Sequence, residues 1–362
     1  MIRARGGPAL AAALVLLLAL SACGEQKSSR TPEASPTPVT EAKPADVSID
    51  VAKLSKGSAP KIGWMDGKSL HLGSKTIDLP FSEASEVAEL GDRLVTMGGA
   101  SDSGETEIQV RDSSGKITAR YDNFVSQLVT NSERNIVAWI AEDNTPKVLQ
   151  TGHREPLELR REAKGSHGDA IAVLGKDCFN GPETVEGAGC SVYFSLTRKG
   201  ETLPFVASEH GFVDRADTKI TGLMDVSPVG ALVGVLDASA PKLCSRYEST
   251  EKSYEQCDFV PSDFSPDGDR LLGYSSEMVE GPTTAEIMVH DALTGKPVLT
   301  VRHPGIWASA WEDDDHVLAI VSEGEETTSW AVVRVGLEGE AELAAGPMES
   351  DSAPAYWFTV QP

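Results

Sequence analysis

The sequence predicts an all-β chain folded as one β-propeller after a disordered N-terminal tether, and three observations carry that expectation. From Val47 onward, apolar runs of four to six residues recur, as in Glu107–Arg111, Ser191–Leu196 and Glu286–His290. These are strand-length segments with no switch to helical periodicity. Clusters of Gly, Asp, Asn and Ser separate them, with hairpin signals at Asp112–Lys116, Arg198–Glu201 and Asp291–Lys296. The third observation is a strand–turn–strand unit that returns at intervals of about 40 residues, the spacing of propeller blades.

The fullest copy of that unit is Asp263-Phe264-Ser265-Pro266-Asp267-Gly268-Asp269-Arg270-Leu271-Leu272-Gly273-Tyr274. Pro266 presets φ for a turn, Asp267-Gly268 tolerates positive φ, and Leu271, Leu272 and Tyr274 restart an apolar strand. Weaker copies are Val226–Val233, Trp311–Leu318, Leu90–Val95 and Asn131–Trp139. Ser-Pro-Asp-Gly before an apolar strand resembles the PD40 (WD40-like) repeat of TolB-type bacterial propellers. The match is strong at residues 264–274, and Val226–Val235 is a degraded copy without the Asp. The resemblance implies the propeller fold and an exported bacterial setting. It implies no particular activity, because propellers host many.

In chain order, residues 1–22 read as an export signal. Arg3 and Arg5 form a positive start, and Ala9–Leu20 is an uncharged apolar core too short to span a bilayer comfortably. Leu20-Ser21-Ala22-Cys23-Gly24 resembles a bacterial lipobox, which implies that Cys23 is acylated and becomes the mature N-terminus; ordinary signal cleavage is the alternative. Residues 23–46 are polar and carry Pro32, Pro36, Pro38 and Pro44. Such a segment cannot offset the entropy of ordering and reads as a lipidated tether, about 25 Å from end to end as a flexible coil. The expected location is the extracytoplasmic face of the cell membrane, with the membrane itself as the partner of the lipid anchor.

The propeller is expected over residues 47–362, and at about 45 residues per four-stranded blade that length fits seven, with six or eight as neighbouring counts. Inner strands are expected near Ile62, Val87, Val125, Ile171, Leu223, Phe264 and Trp307. The first blade supplies three strands of its own, and Tyr356–Val360 has nothing after it to pair with. The C-terminus is therefore expected to complete the first blade and remove the open edges of the ring.

Formal charge is −23, or −25 without Arg3 and Arg5. An acidic body is repelled by anionic lipid and disfavours nucleic acid, so no nucleic-acid partner is expected. Beyond Cys23, the four cysteines Cys178, Cys190, Cys244 and Cys257 are expected to pair locally as Cys178–Cys190 and Cys244–Cys257. In a hairpin with Thr250-Glu251 at its tip, Cys244 opposes Cys257 and Tyr247 opposes Tyr254. Zinc is the rival use, without the close cysteine pairs such sites need.

No catalytic residue is expected: nucleophile-elbow, zinc-protease and phosphate-loop motifs are missing from the sequence. Ser166-His167-Gly168-Asp169 reads as a turn between blades. The candidate binding residues are Trp307, Trp311, Asp313 and Asp314. In an extended segment the two indoles and Ser309 share a face, beside the acidic run Glu312–Asp315. That combination suits a cation, a sugar or a peptide, whereas packing of both indoles between blades is the competing outcome. Calcium on Asp313–Asp315 or on Asp267 and Asp269 lacks EF-hand spacing, and no metal or cofactor is expected. The function read from these features is a membrane-tethered cell-envelope lipoprotein, a non-catalytic binding or scaffolding module for an envelope protein, peptide or glycan. The alternative is a propeller lyase or glycoside hydrolase with acids at the central channel.

Overall fold

Strand-length apolar runs separated by tight turns pair most cheaply with their chain neighbours, and here they form antiparallel ladders in chain order. The computed structural model describes residues 43–79, 84–98, 107–121, 126–159, 166–179, 189–198, 201–208, 213–216, 218–237, 242–276, 284–324, 328–350 and 354–362. Five sheets have four strands each and one has eight. The second to fifth sheets begin at the strands Ala84–Leu90, Val129–Thr130, Ser166–Gly175 and Gly222–Val226. The eight-stranded sheet starts at Phe259–Phe264 and is joined through its middle by the 17-residue strand Pro297–Asp313. That strand pairs through Leu299–Arg302 with Glu286–Val289, and through Ala308–Trp311 with Val317–Ile320.

Consecutive sheets pack face to face on apolar clusters. Met65 and Leu70 of the first sheet meet Val87 and Leu94 of the second. Val95 and Ile108 meet Val137 and Trp139, and Ile136 and Val148 meet Val192 and Phe194. Ala172 meets Leu223 and Val226, and Val233 and Tyr247 meet Phe259 and Leu271. Within the eight-stranded sheet, Leu272 and Ile287 meet Val317 and Val333. The series returns on itself where Leu318 and Trp330 pack with Ile62 and Tyr356. Alternate residues of the central strands feed two neighbouring clusters, as Ile136 and Ala138 join one and Val137 and Trp139 the other, which is the packing of a β-propeller.

The ring closes as expected. Trp357–Phe358 is the inner strand of the first sheet, with Phe358 opposite Trp64 and Trp357 opposite Met65. The ladder is extended by Thr359 N–H donating to the Gly63 carbonyl at 2.9 Å, and Val360 N–H donates across to the Val87 carbonyl of the second sheet at 2.8 Å.

The repeated turn has a physical basis that its copies share. Gly268 and Gly230 adopt φ of 80° and 83°, a region open to Gly without a Cβ clash. Ser265 Oγ accepts the Arg270 N–H at 2.9 Å, and Ser227 Oγ accepts the Ala231 N–H at 2.9 Å. In the third sheet Asn131 Oδ1 takes that part toward Ile136 N–H at 3.0 Å, and Arg134 occupies positive φ at 51°. A short polar side chain that satisfies the turn's N–H is the common requirement.

Both expected disulfides are present, Cys178–Cys190 and Cys244–Cys257. The second closes a hairpin in which Ser245 faces Gln256 and Tyr247 faces Tyr254, the rings stacked at 5.2 Å. Replacing Cys244 and Cys257 together by Ser should lower unfolding free energy by about 3 kcal/mol, the loop-closure value for so short a loop. Urea denaturation checks this, and an unchanged midpoint would show that the hairpin holds itself closed.

Three expectations change. The sequence places the end of the tether at residue 46, yet Ala45–Ser48 is a strand pairing in parallel with Leu299–Arg302. Val47 is packed against the neighbouring apolar cluster and Asp46 is paired with Arg302, so this polar segment gains both an apolar and an ionic anchor. Ser166–Asp169 is not a turn but the start of the strand Ser166–Gly175. A Cβ on Gly168 would sit 2.8 Å from Ile140 and 2.9 Å from Leu196, so the glycine serves close packing. The third inner strand is Val129–Thr130, while Val125, like the signal, Cys23 and most of the insertion between Cys178 and Cys190, lies outside the described residues.

Candidate functional site, the central cavity

The inner strands enclose a cavity of about 700 Å³ lined by residues from all six sheets, among them Glu86, Leu128, Val173, Asp225, Asp263 and Phe358. Its walls depend on a recurring irregularity. Pairing shifts register between Ala84 and Glu86, Ala170 and Ala172, Leu223 and Asp225, Pro261 and Asp263, and Ile306 and Ala308. Each shift is a β-bulge, which bends the strand and re-aims the side chains that follow. After the bulges come Glu86, Ala172, Asp225, Asp263 and Ala308, and all five line the cavity. Three of those positions carry carboxylates and two carry alanine, which leaves room.

Polar side chains tie several inner strands to the blade that follows. Glu86 Oε2 accepts the Leu128 N–H at 2.8 Å, and Gln127 Nε2 donates to the Ala170 carbonyl at 3.1 Å. Asp225 Oδ2 accepts the Phe264 N–H at 2.7 Å, and its Oδ1 accepts the Val226 N–H at 2.7 Å. Glu312 Oε1 accepts the Lys61 N–H at 2.7 Å. Buried backbone donors must be satisfied, so these bonds hold the ring as well as placing charge within it.

The acids differ in how much of their charge is compensated. Glu312 is wholly buried and paired through both oxygens with Arg334. Burial pushes the Glu86 carboxyl up, against the Leu128 N–H. Asp225 is raised well above the ordinary carboxylate range, first by burial and then by the nearby Asp263 charge. Burial also raises Asp263, which gains only the hydroxyl of its neighbour Ser262; that hydroxyl also lies 3.2 Å from the Leu272 carbonyl. Both aspartates sit deep in the protein and keep part of their surface open to the cavity. Arg134 is the one Lys or Arg among the described residues of the cavity wall, and it is bound to Glu89 at 2.6 Å and Gln361 at 3.3 Å. The ionisable groups of the wall that lack a counter-charge are therefore carboxyls.

The structure separates the residues expected to act together. The bulge at Trp307 breaks the alternation on which a shared face depended. Trp311 is 5% exposed and packs between the two halves of the eight-stranded sheet. Trp307 packs on the other side, edge-on to Trp330 at 5.6 Å. No two-indole platform forms. Asp313 accepts hydrogen bonds from Lys61 Nζ at 2.6 Å, His316 Nδ1 at 2.7 Å and the Asp315 N–H at 3.1 Å. Burial works against this carboxylate, but those donors outweigh it and hold it down to about 2. Asp314 Oδ1 accepts the Asp267 N–H at 2.9 Å and so links two neighbouring turns. The acidic run thus works as turn and inter-blade structure. Among the described residues, no group of three or more His, Cys, Asp or Glu side chains could hold a metal ion.

Sequence reading missed Asp225 and Asp263, although the repeat contained them. Asp225-Val226-Ser227-Pro228 and Asp263-Phe264-Ser265-Pro266 carry Asp at one and the same place, three residues before Pro. Glu86 had no such signal.

No family model matches the chain, and no curated protein matches it in sequence. Among solved structures it is similar to YCF48 bound to D1 peptide, with 13% identity, 83% of this chain and 90% of that one covered, and a TM-score of 0.49. It is also similar to the β-propeller domain of the trilobed protease from Pyrococcus furiosus, with 10% identity, 73% and 85% covered, and a TM-score of 0.49. A protein assigned as TolB in Agrobacterium tumefaciens shows 13% identity, 66% and 87% covered, and a TM-score of 0.42. These are likenesses of fold and carry no information on a ligand.

Proposed function

We propose that this chain is a cell-envelope lipoprotein, tethered through Cys23, whose seven-bladed propeller is a non-catalytic binding module with its ligand site in the central cavity. The observation that carries the binding role is the cavity itself, about 700 Å³ and walled by apolar and polar side chains from every sheet. Counting the eight-stranded sheet as two blades plus the added strand Ala45–Ser48 supports seven. Two disulfides support an oxidising compartment. The acidic charge supports a body held off the lipid surface by its linker.

A second reading, a channel enzyme, is favoured by the raised carboxyls of Glu86, Asp225 and Asp263, because catalytic acids are tuned by such burial. Binding is the stronger reading because Glu86 and Asp225 spend carboxylate oxygens on backbone N–H groups of the adjoining blade. An acid or base so occupied is a poor partner for a reacting proton.

The tether is tested by expressing the full chain in a bacterium with labelled fatty acid. The wild type is expected to take up label and to fractionate with membranes. Cys23→Ser should lose the label. Equal labelling of both proteins would remove Cys23 as the anchor.

A further inference from the structure

We propose that the cavity is a receptor for an organic ammonium ion with an apolar body, the cationic head seated at Asp263 beside Asp225. The proposal rests on the reading of the cavity as a binding site and gives that site a ligand class.

Four observations on the wall carry it. Asp225 and Asp263 follow bulges at matching places in adjacent blades, so both carboxyls are delivered to one side of the cavity. They do not have the same task. Asp225 reaches across to the Phe264 N–H, whereas Asp263 makes no such bond to the following blade and has only the shared Ser262 hydroxyl among the described residues. A carboxyl enclosed by protein, next to a second carboxyl, with its acceptor sites unspent, is an unfavourable arrangement unless something positive arrives. Glu312 is compensated by Arg334 and Arg134 by Glu89, while Glu86 spends one oxygen on the Leu128 N–H.

The rest of the lining selects the kind of cation. Met224, Leu128, Val173, Trp357 and Phe358 line the same space. Trp357 is 37% exposed, one of three large hydrophobic residues exposed to that degree among the described residues. Apolar and aromatic surface suits an alkyl chain and the face of a weakly hydrated ammonium. A strongly hydrated divalent ion demands more oxygen donors in one place, and no group of three or more His, Cys, Asp or Glu side chains among the described residues supplies them. Ala172 and Ala308, at the bulge positions without carboxylates, leave the volume such a body would fill.

Isothermal titration of the detergent-solubilised full chain tests this, with hexylammonium, hexanol, hexanoate and calcium as probes. Hexylammonium is expected to bind at least tenfold more tightly than hexanol, with hexanoate weakest. Asp263→Asn, which keeps the shape, should lower hexylammonium affinity at least tenfold. Glu338→Gln, a charge change in a turn of the last blade, should leave it unchanged. Ala308→Phe should exclude hexylammonium and hexanol alike by filling the cavity, which serves as the probe of the site if Asp263→Asn does not fold. Hexanol binding that Ala308→Phe blocks, without preference for the ammonium, would retain the cavity as a site and overturn the ligand class. Absence of binding by both probes would overturn the cavity reading as well. Undiminished hexylammonium binding in Asp263→Asn, or Asp263-dependent binding of calcium in place of hexylammonium, would also overturn the proposal.

Discussion

Deletion of residues 355–362 is expected to abolish cooperative unfolding. The segment supplies the inner strand of the first sheet, so its loss exposes the edge of Trp64–Met65. It also removes Tyr356, which is 2% exposed and sits in the cluster that joins the last sheet to the first with Leu318 and Trp330. Two kinds of stabilisation go at once: the ladder and the seam. An exposed edge beside opened apolar surface favours pairing with other chains. Thermal unfolding followed by circular dichroism, together with light scattering, should show a broad, low transition and association. A sharp transition at the wild-type midpoint would mean that the ring does not depend on this strand.

The second large effect is expected at Arg334. Its side chain is 6% exposed and its guanidinium binds both oxygens of Glu312, whose side chain is fully buried. It also binds Glu342 and the carbonyls of Ser58 at 3.2 Å and Ala59 at 3.1 Å. Hydrogen bonding to Glu312 raises the Arg334 pKa further above its ordinary value, so the guanidinium stays charged. Arg334→Ala leaves Glu312 uncompensated in the interior and should cost about 3–5 kcal/mol, the penalty for breaking a buried pair from one side. The double variant Arg334→Met with Glu312→Gln should be more stable than Arg334→Ala, because no charge is then stranded. Urea unfolding of the three proteins decides this. A double variant no better than the single one would assign the loss to packing and to the bonds with residues 58 and 59.

The fold was legible in the sequence because its signals are local. Short apolar runs, glycines at positive φ and short polar residues that satisfy turn N–H groups all act within about ten residues, which is the reach of sequence patterns. The Cys244–Cys257 register followed from the hairpin alone, and the closing strand followed from an unpaired end. The site was less legible because bulges decide it. One unpaired residue at Trp307 puts the two indoles into separate apolar clusters, and only Trp311 borders the cavity, beside Ala308 and Ser309. A bulge leaves no distinctive residue type behind, so alternation counted through it gives the wrong face. Asp225 and Asp263 stood in plain view in the repeat. Their significance depends on two adjacent blades bringing them to one cavity, which no single segment encodes.

The N-terminal segment changes how the ring can come apart. Ala45–Ser48 lies along Leu299–Arg302, the chain then passes the last strand of the eight-stranded sheet with Ser55 and Gly57 bonded to Leu343, and it enters the first sheet at Trp64. The two ends of the chain therefore cross the same seam from opposite sides, one at the hub and one along the rim. A pull applied at residue 43 meets a parallel strand first, and that strand's bonds lie across the strand axis and share the load in shear. The closing strand carries none of the force until the rim clasp has released, so the joint that keeps the ring shut is mechanically shielded from tension on the N-terminal side.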